Sequence, residues 1–464
     1  MASNVFFMDD RANGLAEGIQ YKAVKLLRDA GLANLFKPGD VVGIKVHMGE
    51  HGNVFNIRPQ WVRSVADEIK RLGGKPVVVE CNTMPFGPFT SRAIRKDHLR
   101  CAARHGFTEE VLGCPIWICD GEYGFDDVKV DIPNGVALKF SYMGKKLLEL
   151  DACVIVTHFK GHPMGVFGGA IKNVGIGMGS KRGKTLTHYI NHPVYGRKVF
   201  TVNEEAFAAC AEQPSPNFAE YLVKSCPFGA MEKQGKVLQY YEDKCRQCGT
   251  CVALGAFGGI WQIPPEITFF WAPTIADACA GYVNAIGSDR FIFLSYAMDI
   301  TPACDCNNFH DRAIIPNIGV FASKDPVAID MACLEAVEAS AGMPESKAEE
   351  FGFLEPGTER FTNLCALSKT SQWAQINAAV YNKLGTSEYN LILSEPASEY
   401  EFWFEPYTPD KPWGYVNREW VAKQNWKPEY PYCYDGLRLS MTELSIKPKG
   451  KVEDLSIQEL GEEE

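Results

Sequence analysis

Unbroken apolar runs, with no polar residue at alternate positions, recur along the chain and are separated by helical stretches. Val41-Val-Gly-Ile-Lys-Val46, Pro76-Val-Val-Val-Glu80 and Ala152-Cys-Val-Ile-Val-Thr157 each predict a strand covered on both faces. Arg58–Leu72, Ser91–His105 and residues 201–224 predict helices. Pro273–Ile286 predicts another, with the proline in its first turn and Gly287 just past its end. Arg290–Leu294 and Ile318–Ala322 predict two more strands. Asp325 suits the N-cap, and Pro326 the first turn, of a helix running to about Ser340. Strands buried on both faces and alternating with helices predict an α/β fold. Its sheet should be open and mostly parallel, with helices on both faces.

Between Tyr400 and Tyr434 lie twelve aromatics and five prolines, and from Val452 six of thirteen residues are acidic. The first stretch is expected to be an irregular arm across the main domain or a sister subunit, giving a homodimer, or else a lid. The second is expected to be a solvated tail. The net charge of −10 and the absence of a Lys/Arg-rich run argue against a nucleic-acid partner. No apolar stretch approaches the roughly 18 residues of a spanning helix, so no membrane partner is expected. Met1–Asp10 lacks the basic and apolar regions of a secretory signal, so the expected location is cytoplasmic. Sixteen cysteines in a reducing compartment read as metal ligands where they cluster.

They cluster near residue 250. Cys245-Arg-Gln-Cys248-Gly-Thr-Cys251 has the C-x2-C-x2-C spacing that curls a loop around a four-iron, four-sulfur cube. In bacterial ferredoxins a fourth cysteine, followed by proline, serves the other cluster of a pair. Here that position is Gly255. Upstream, Cys226-Pro227 has the form of such a fourth ligand, while Leu222, Ala219 and Pro216 stand where its own first three cysteines would be. The surviving half-motifs together supply Cys226, Cys245, Cys248 and Cys251 for one 4Fe-4S cluster, with Cys210 a rival for the fourth position. Zinc fits three cysteines within seven residues poorly.

Ligands of open parallel sheets bind beyond the carboxyl ends of the strands. The predicted strands are followed by His47-Met-Gly-Glu-His51, with Lys45 just inside, by Glu80-Cys-Asn82, by His158-Phe-Lys160-Gly-His162, by Cys304-Asp-Cys306, and by Ser323 and Asp325. Five strand ends are thus expected to face one crevice. His158 and His162 are placed on a loop by Gly161 and Pro163, where they would ligate a metal or move a proton. Six glycines between residues 165 and 179 mean close approach of the backbone to something. The stretch matches neither a P-loop nor a dinucleotide fingerprint. Lys172, Lys181, Arg182 and Lys184 leave open an anion site or a packing loop with solvated charges. Cys304 and Cys306, two residues apart, cannot bridge without strain. They read as a second metal site or as thiols in a turn.

Ile44–Asn53, His158–His162, Phe167–Gly177, Cys304–Cys306 and Asp325–Asp330 together resemble the family catalogued as domain of unknown function 362, whose members are often described as uncharacterised iron–sulfur centre proteins. The resemblance runs from about residue 4 to residue 335. It implies an α/β domain interrupted by a ferredoxin-like insert, distantly similar to the nickel-pincer lactate racemase fold. Many members look as if they hold two clusters. This chain departs there, because Leu222, Ala219, Pro216 and Gly255 replace cysteines.

The expected organisation is an α/β domain over 1–200 and 266–340, the cluster insert over 201–265, and a C-terminal extension over 341–464. The expected function is that of an iron–sulfur oxidoreductase. It would pass electrons to a small anionic substrate, or to a second metal or organic cofactor, in a crevice. Lys45, His47, His158, Lys160 and His162 are its catalytic candidates. Gly168, Gly169, Lys172, Asn173 and Lys184 are its cofactor-binding candidates. The alternatives are an electron carrier or metallocluster-handling accessory protein that docks on a partner, and a redox-neutral metal-dependent isomerase or racemase with a structural cluster.

Overall fold

Ala152–His158 is buried along its whole length because it lies inside a sheet of eight strands. This is a computed structural model, which describes residues 2–87, 90–188, 201–257, 259–262, 268–364, 370–398 and 423. The strands are β1 (Ser3–Asp9), β2 (Val41–Lys45), β3 (Lys75–Glu80), β4 (Ile116–Ile118), β5 (Ala152–His158), β6 (Phe291–Ala297), β7 (Gly319–Ser323) and β8 (Tyr389–Leu393). Their spatial order is β8-β1-β7-β6-β5-β2-β3-β4. From β6 to β4 every pair is parallel, with Val42 opposite Ala152 and Tyr296 opposite His158. Only β7 runs against its neighbours, pairing antiparallel with both β1 and β6.

The helices that matter for the site are α1 (Ile19–Asp29), α2 (Pro59–Arg71), α3 (Ala170–Gly175), α4 (Lys181–His188), α5 (Thr268–Ile286) and α6 (Pro326–Ala339). Successive side chains of β5 enter opposite layers. Cys153 and Ile155 join the apolar layer containing Ile171, Ala276 and Ile329 of α3, α5 and α6. Val154 and Val156 join the layer containing Leu26 and Val65 of α1 and α2. Both faces are therefore dry, which is why the strand needs no polar alternate. The fold is α/β with a mostly parallel sheet, as expected.

Three local expectations change. The helix expected to start at Pro273 starts at Thr268, with the proline inside it. Trp271 is buried and donates from its indole to the His188 carbonyl at 2.6 Å, an anchor that lies upstream of the proline. Residues 201–224 form two helices, Glu204–Ala211 and Phe218–Lys224. Each is capped by an asparagine side chain, Asn203 and Asn217. Neither His158 nor His162 lies on a loop: His158 is the last residue of β5, opposite Tyr296, and Lys160–His162 is a short strand paired antiparallel with Val166–Gly168.

The reversal of β7 has a larger consequence. Its carboxyl end lies at the opposite edge of the sheet from those of β2, β3, β5 and β6, so Ser323 and Asp325 do not join the other strand ends. Asp325 accepts from the amides of Val327 at 2.8 Å and Ala328 at 3.1 Å, and caps α6. It also accepts from the Ser3 hydroxyl at 2.8 Å. The loop that follows β6, with Cys304 and Cys306, stays at the edge where β2, β3 and β5 end, as expected, because β6 is parallel to them.

Residues 201–262 begin and end on a two-stranded pairing, Thr201–Val202 with Trp261–Gln262. Inside it lie a hairpin, Met231–Gln234 with Val237–Tyr240, and the helix Thr250–Phe257. The chain divides into Met1–Pro412 and Trp413–Glu464. Apart from Lys423, the aromatic stretch from Tyr400 and the acidic tail lie outside the described residues. Among the described residues no helix is long and apolar enough to cross a membrane.

Candidate functional site

The carboxyl ends of β2, β3 and β5, the β6–β7 loop and α3–α4 enclose a cavity of about 250 Å³. Behind its wall Lys45 is buried, 2.9 Å from Glu80 Oε1 and 2.9 Å from Asn173 Oδ1. Asn173 in turn donates to the Val156 carbonyl at 2.9 Å and to the Thr157 hydroxyl at 3.0 Å, which locks α3 to β5. Burial depresses the Lys45 ammonium, and Glu80 opposes that shift. Glu80 lines the cavity, and its second oxygen is buried without a hydrogen-bond partner. Lys45 thus stands one layer back, as the counter-ion of a carboxylate that reaches the cavity.

Asp305 is the hub of the next group. It takes His158 Nδ1 at 2.8 Å and Lys160 Nζ at 2.9 Å. Burial would raise its carboxyl, but His158 and Lys160 hold it below the ordinary value. His158 Nε2 faces the Met298 carbonyl at 2.9 Å. Both ring nitrogens of His158 therefore face oxygen atoms of the protein itself, Asp305 on one side and Met298 on the other.

His47 and His162 are arranged differently. His47 Nδ1 accepts from the Gly49 amide at 3.0 Å, and His162 Nδ1 accepts from the Gly165 amide at 2.8 Å. Burial is the first cause that depresses both imidazoliums. Arg92 adds to it at His47, and Lys172 adds to it at His162, which falls to about 4. Each neutral ring therefore carries its proton on Nε2. On the same rim Glu50 accepts from Arg92 Nε at 3.1 Å, from the Thr90 hydroxyl at 2.6 Å and from the Ser91 amide at 2.7 Å.

The cofactor-binding candidates Gly168, Gly169, Lys172, Asn173 and Lys184 all line the cavity. The glycines of this stretch answer first to packing. A Cβ on Gly169 would overlap the Asp330 carboxylate, and one on Gly175 would overlap the Ile275 carbonyl of α5. Asp330 accepts from the amides of Ala170 and Ile171, at 2.7 and 2.9 Å, and seats α3. Gly169→Ala is accordingly expected to cost about 1–3 kcal/mol. An unchanged urea midpoint would refute the close approach. Arg182 pairs with Asp127, and Lys181 reaches the Thr83 carbonyl and the Phe86 ring, so the cations of this stretch that line the cavity are Lys172 and Lys184.

Cys306 lines the cavity, and Cys304 lies fully buried behind it. Their sulfurs are 2.8 Å apart. Lys172 Nζ is 3.6 Å from Cys304, and His162 Nε2 is 3.7 Å from Cys306. Burial alone would raise the Cys304 thiol. The hydrogen bond from Cys306 and the Lys172 ammonium hold it well below the ordinary value. The ligand atoms of His162, Cys304 and Cys306 all lie within 4.8 Å of one another, a spacing that one metal ion could bridge.

A second pocket is lined by Cys226, Cys245, Cys248 and Cys251. The Ala230 amide donates to Cys226 Sγ and the Gln247 amide to Cys245 Sγ, each at 3.3 Å. Cys210 does not line it and packs instead with Phe207 and Ala219. The positions where a two-cluster ferredoxin would carry further ligands are filled by core. Ala219 and Leu222 are fully buried in an apolar cluster with Phe207, Leu254 and Ile260. The Trp261 indole occupies the space beside Gly255 that a side chain there would need. Helix α4 separates the two pockets. Its Thr185 lines the cysteine pocket and touches Met84 Sδ at 3.4 Å, while Met84, Lys184 and His188 line the cavity.

Sequence reading missed Glu50, Arg92 and His188. Glu50 stands in the quoted His47–His51 segment, but nothing local marks its partner 42 residues on. The density of cysteines points to a metal cofactor.

The profile of a family described as Domain of unknown function (DUF362) matches residues 42–335. No curated protein matches the sequence. Among solved structures the chain is similar to the lactate racemase apoprotein from Thermoanaerobacterium thermosaccharolyticum. That match has 12% identity and a TM-score of 0.34, and it covers 74% of this chain and 59% of that one, less than two thirds of its length.

Proposed function

The chain belongs to the DUF362 family, and on that premise we propose that it is an iron–sulfur oxidoreductase acting on a small anion. One observation carries the reading: four cysteines line a single pocket, and Thr185 of that lining touches Met84, which lines a neighbouring cavity rimmed by cations. Two of the four sulfurs receive backbone N–H donors, the environment that thiolates of such clusters use. A 4Fe-4S cluster on Cys226, Cys245, Cys248 and Cys251 would supply single electrons.

The chain's own residues bind and orient the ligand. Lys172 remains an ammonium: burial would depress it, but the charges of Cys304, Cys306 and Asp305 raise it. Lys172, Lys184 and Arg92, with the Nε2–H groups of His47 and His162, make the rim a set of donors suited to a carboxylate or phosphate. Asp305 fixes His158 and Lys160, so His158 is a positioning residue. An electron carrier would need the cysteine pocket but not the cavity beside it.

Protein purified without oxygen should contain about four iron and four sulfide per chain and show a reduced-cluster EPR signal after dithionite. A small acceptor that carries a carboxylate or phosphate beside a reducible group, such as an α,β-unsaturated carboxylate, should reoxidise it, and Lys172→Met should weaken that ligand about 30-fold or more, the loss of one buried charge-assisted contact. Iron-free protein sinks the cluster. Reoxidation indifferent to Lys172 sinks the cavity.

A further inference from the structure

We propose that Cys304 and Cys306 are a redox dithiol serving the cavity, rather than ligands of a resident metal ion. The sulfurs lie 2.8 Å apart, closer than two unbonded sulfurs ordinarily rest and beyond the roughly 2.05 Å of a disulfide bond. The two sulfurs are thus within reach of a bond to one another. The thiolate, Cys304, is fully buried and is held by the Lys172 ammonium and by the Cys306 amide at 3.3 Å. Cys306 opens on the cavity.

Two features argue against a metal ion there. A histidine that ligates a metal through Nε2 donates its Nδ1–H to an acceptor. His162 Nδ1 instead faces two donors, the Gly165 amide at 2.8 Å and the Met164 amide at 3.2 Å. Its Nε2 therefore presents a proton to Cys306, not a lone pair to an ion. Lys172 also stands beside Cys304, at 3.6 Å, and its ammonium favours thiolate over a divalent cation there.

In oxidation, the Cys306 S–H bond breaks and one S–S bond forms to the Cys304 thiolate; two electrons and that proton, with a second proton from solvent, pass to an acceptor in the cavity that takes up two of each, such as an azo compound or a quinone. In the return step the S–S bond takes two electrons and one proton and restores the thiol and the thiolate. Those electrons arrive singly from a low-potential iron–sulfur donor, and this half rests on the function proposed above. A bridge between residues two apart closes a tight ring, which places it among the labile, oxidising disulfides rather than the structural ones.

The test uses the full chain with its cluster, purified without oxygen. It is treated with the azo oxidant diamide, alkylated and digested with trypsin. Cys304 and Cys306 are the only cysteines of the peptide Phe291–Arg312. The peptide should be two hydrogens lighter and unalkylated, and should carry two alkyl groups if dithionite with a viologen mediator is added first. Lys172→Met should slow closure about tenfold at neutral pH, because the attacking sulfur loses the ammonium that holds it as a thiolate. Two alkyl groups after diamide would overturn the proposal. So would zinc, or iron beyond the cluster complement, that disappears in Cys304→Ser. A peptide that closes in protein with no iron would support the dithiol while refuting the proposed function, so the two failures are distinguishable.

Discussion

On the proposed iron–sulfur function, replacing Cys245 by serine is expected to take the protein from about four iron per chain to less than one, and to abolish any reaction that draws electrons from that cluster. The loss should be near total because the cysteine pocket offers no fifth thiol: Cys210 lies in the neighbouring apolar cluster. Cys226→Ser should behave like Cys245→Ser, whereas Cys210→Ser should keep its iron. If Cys210→Ser lost the metal and Cys226→Ser kept it, the fourth ligand would have to be reassigned. The main transition on thermal unfolding should survive all three changes. The apolar clusters around the cysteine pocket are distinct from the two layers that sandwich the large sheet. Iron and sulfide assays with circular dichroism melting curves separate loss of metal from loss of fold.

The second large effect is on stability. Lys45→Met is expected to destabilise the protein by about 3–5 kcal/mol, the cost of leaving a buried charge without its partner. Glu80 would then keep both oxygens in a buried setting with no counter-ion 2.9 Å away, and Asn173 would lose the ammonium it accepts from. The double change Lys45→Met with Glu80→Gln should recover much of that loss, because removing both charges removes the uncompensated one. Urea unfolding of the two variants checks this. If the single and double variants unfold at the same denaturant concentration, the pair is not the coupled unit that the geometry describes. Lys45→Met should also loosen the α3–β5 lock through Asn173, so ligand binding in the cavity should weaken even though Lys45 does not line it.

These two residues show where sequence reading succeeds and where it stops. Cys245, Cys248 and Cys251 are three residues apart, and the spacing alone brings their thiols to one side of a loop. Cys226 came from recognising half of a second motif, and it lines the same pocket. Lys45 stood out as a lysine at a buried strand end, but its role depends on Glu80, which follows on the neighbouring strand in register: Lys45 sits opposite Val79. His158 and His162 look alike in the sequence, four residues apart on either side of Lys160. Only their surroundings separate them. His158 faces oxygen at both nitrogens, and His162 faces two amide donors and a thiol.

Local patterns were sufficient for the buried strands, the cap at Asp325, and the ends of β2, β3, β5 and β6, with Cys304 and Cys306 after the last, because burial periodicity and capping act over a few residues. The direction of β7, and with it the departure of Ser323 and Asp325 from the site, was decided by pairing with β1 and β6, which lie far away from it in the chain or across a long loop. The glycines between 165 and 179 signalled a close neighbour but not its identity, which is α5 and Asp330. Charge pairs such as Glu50 with Arg92 form because burial leaves each ion no better partner than the other, and burial is a property of the assembled molecule rather than of any segment.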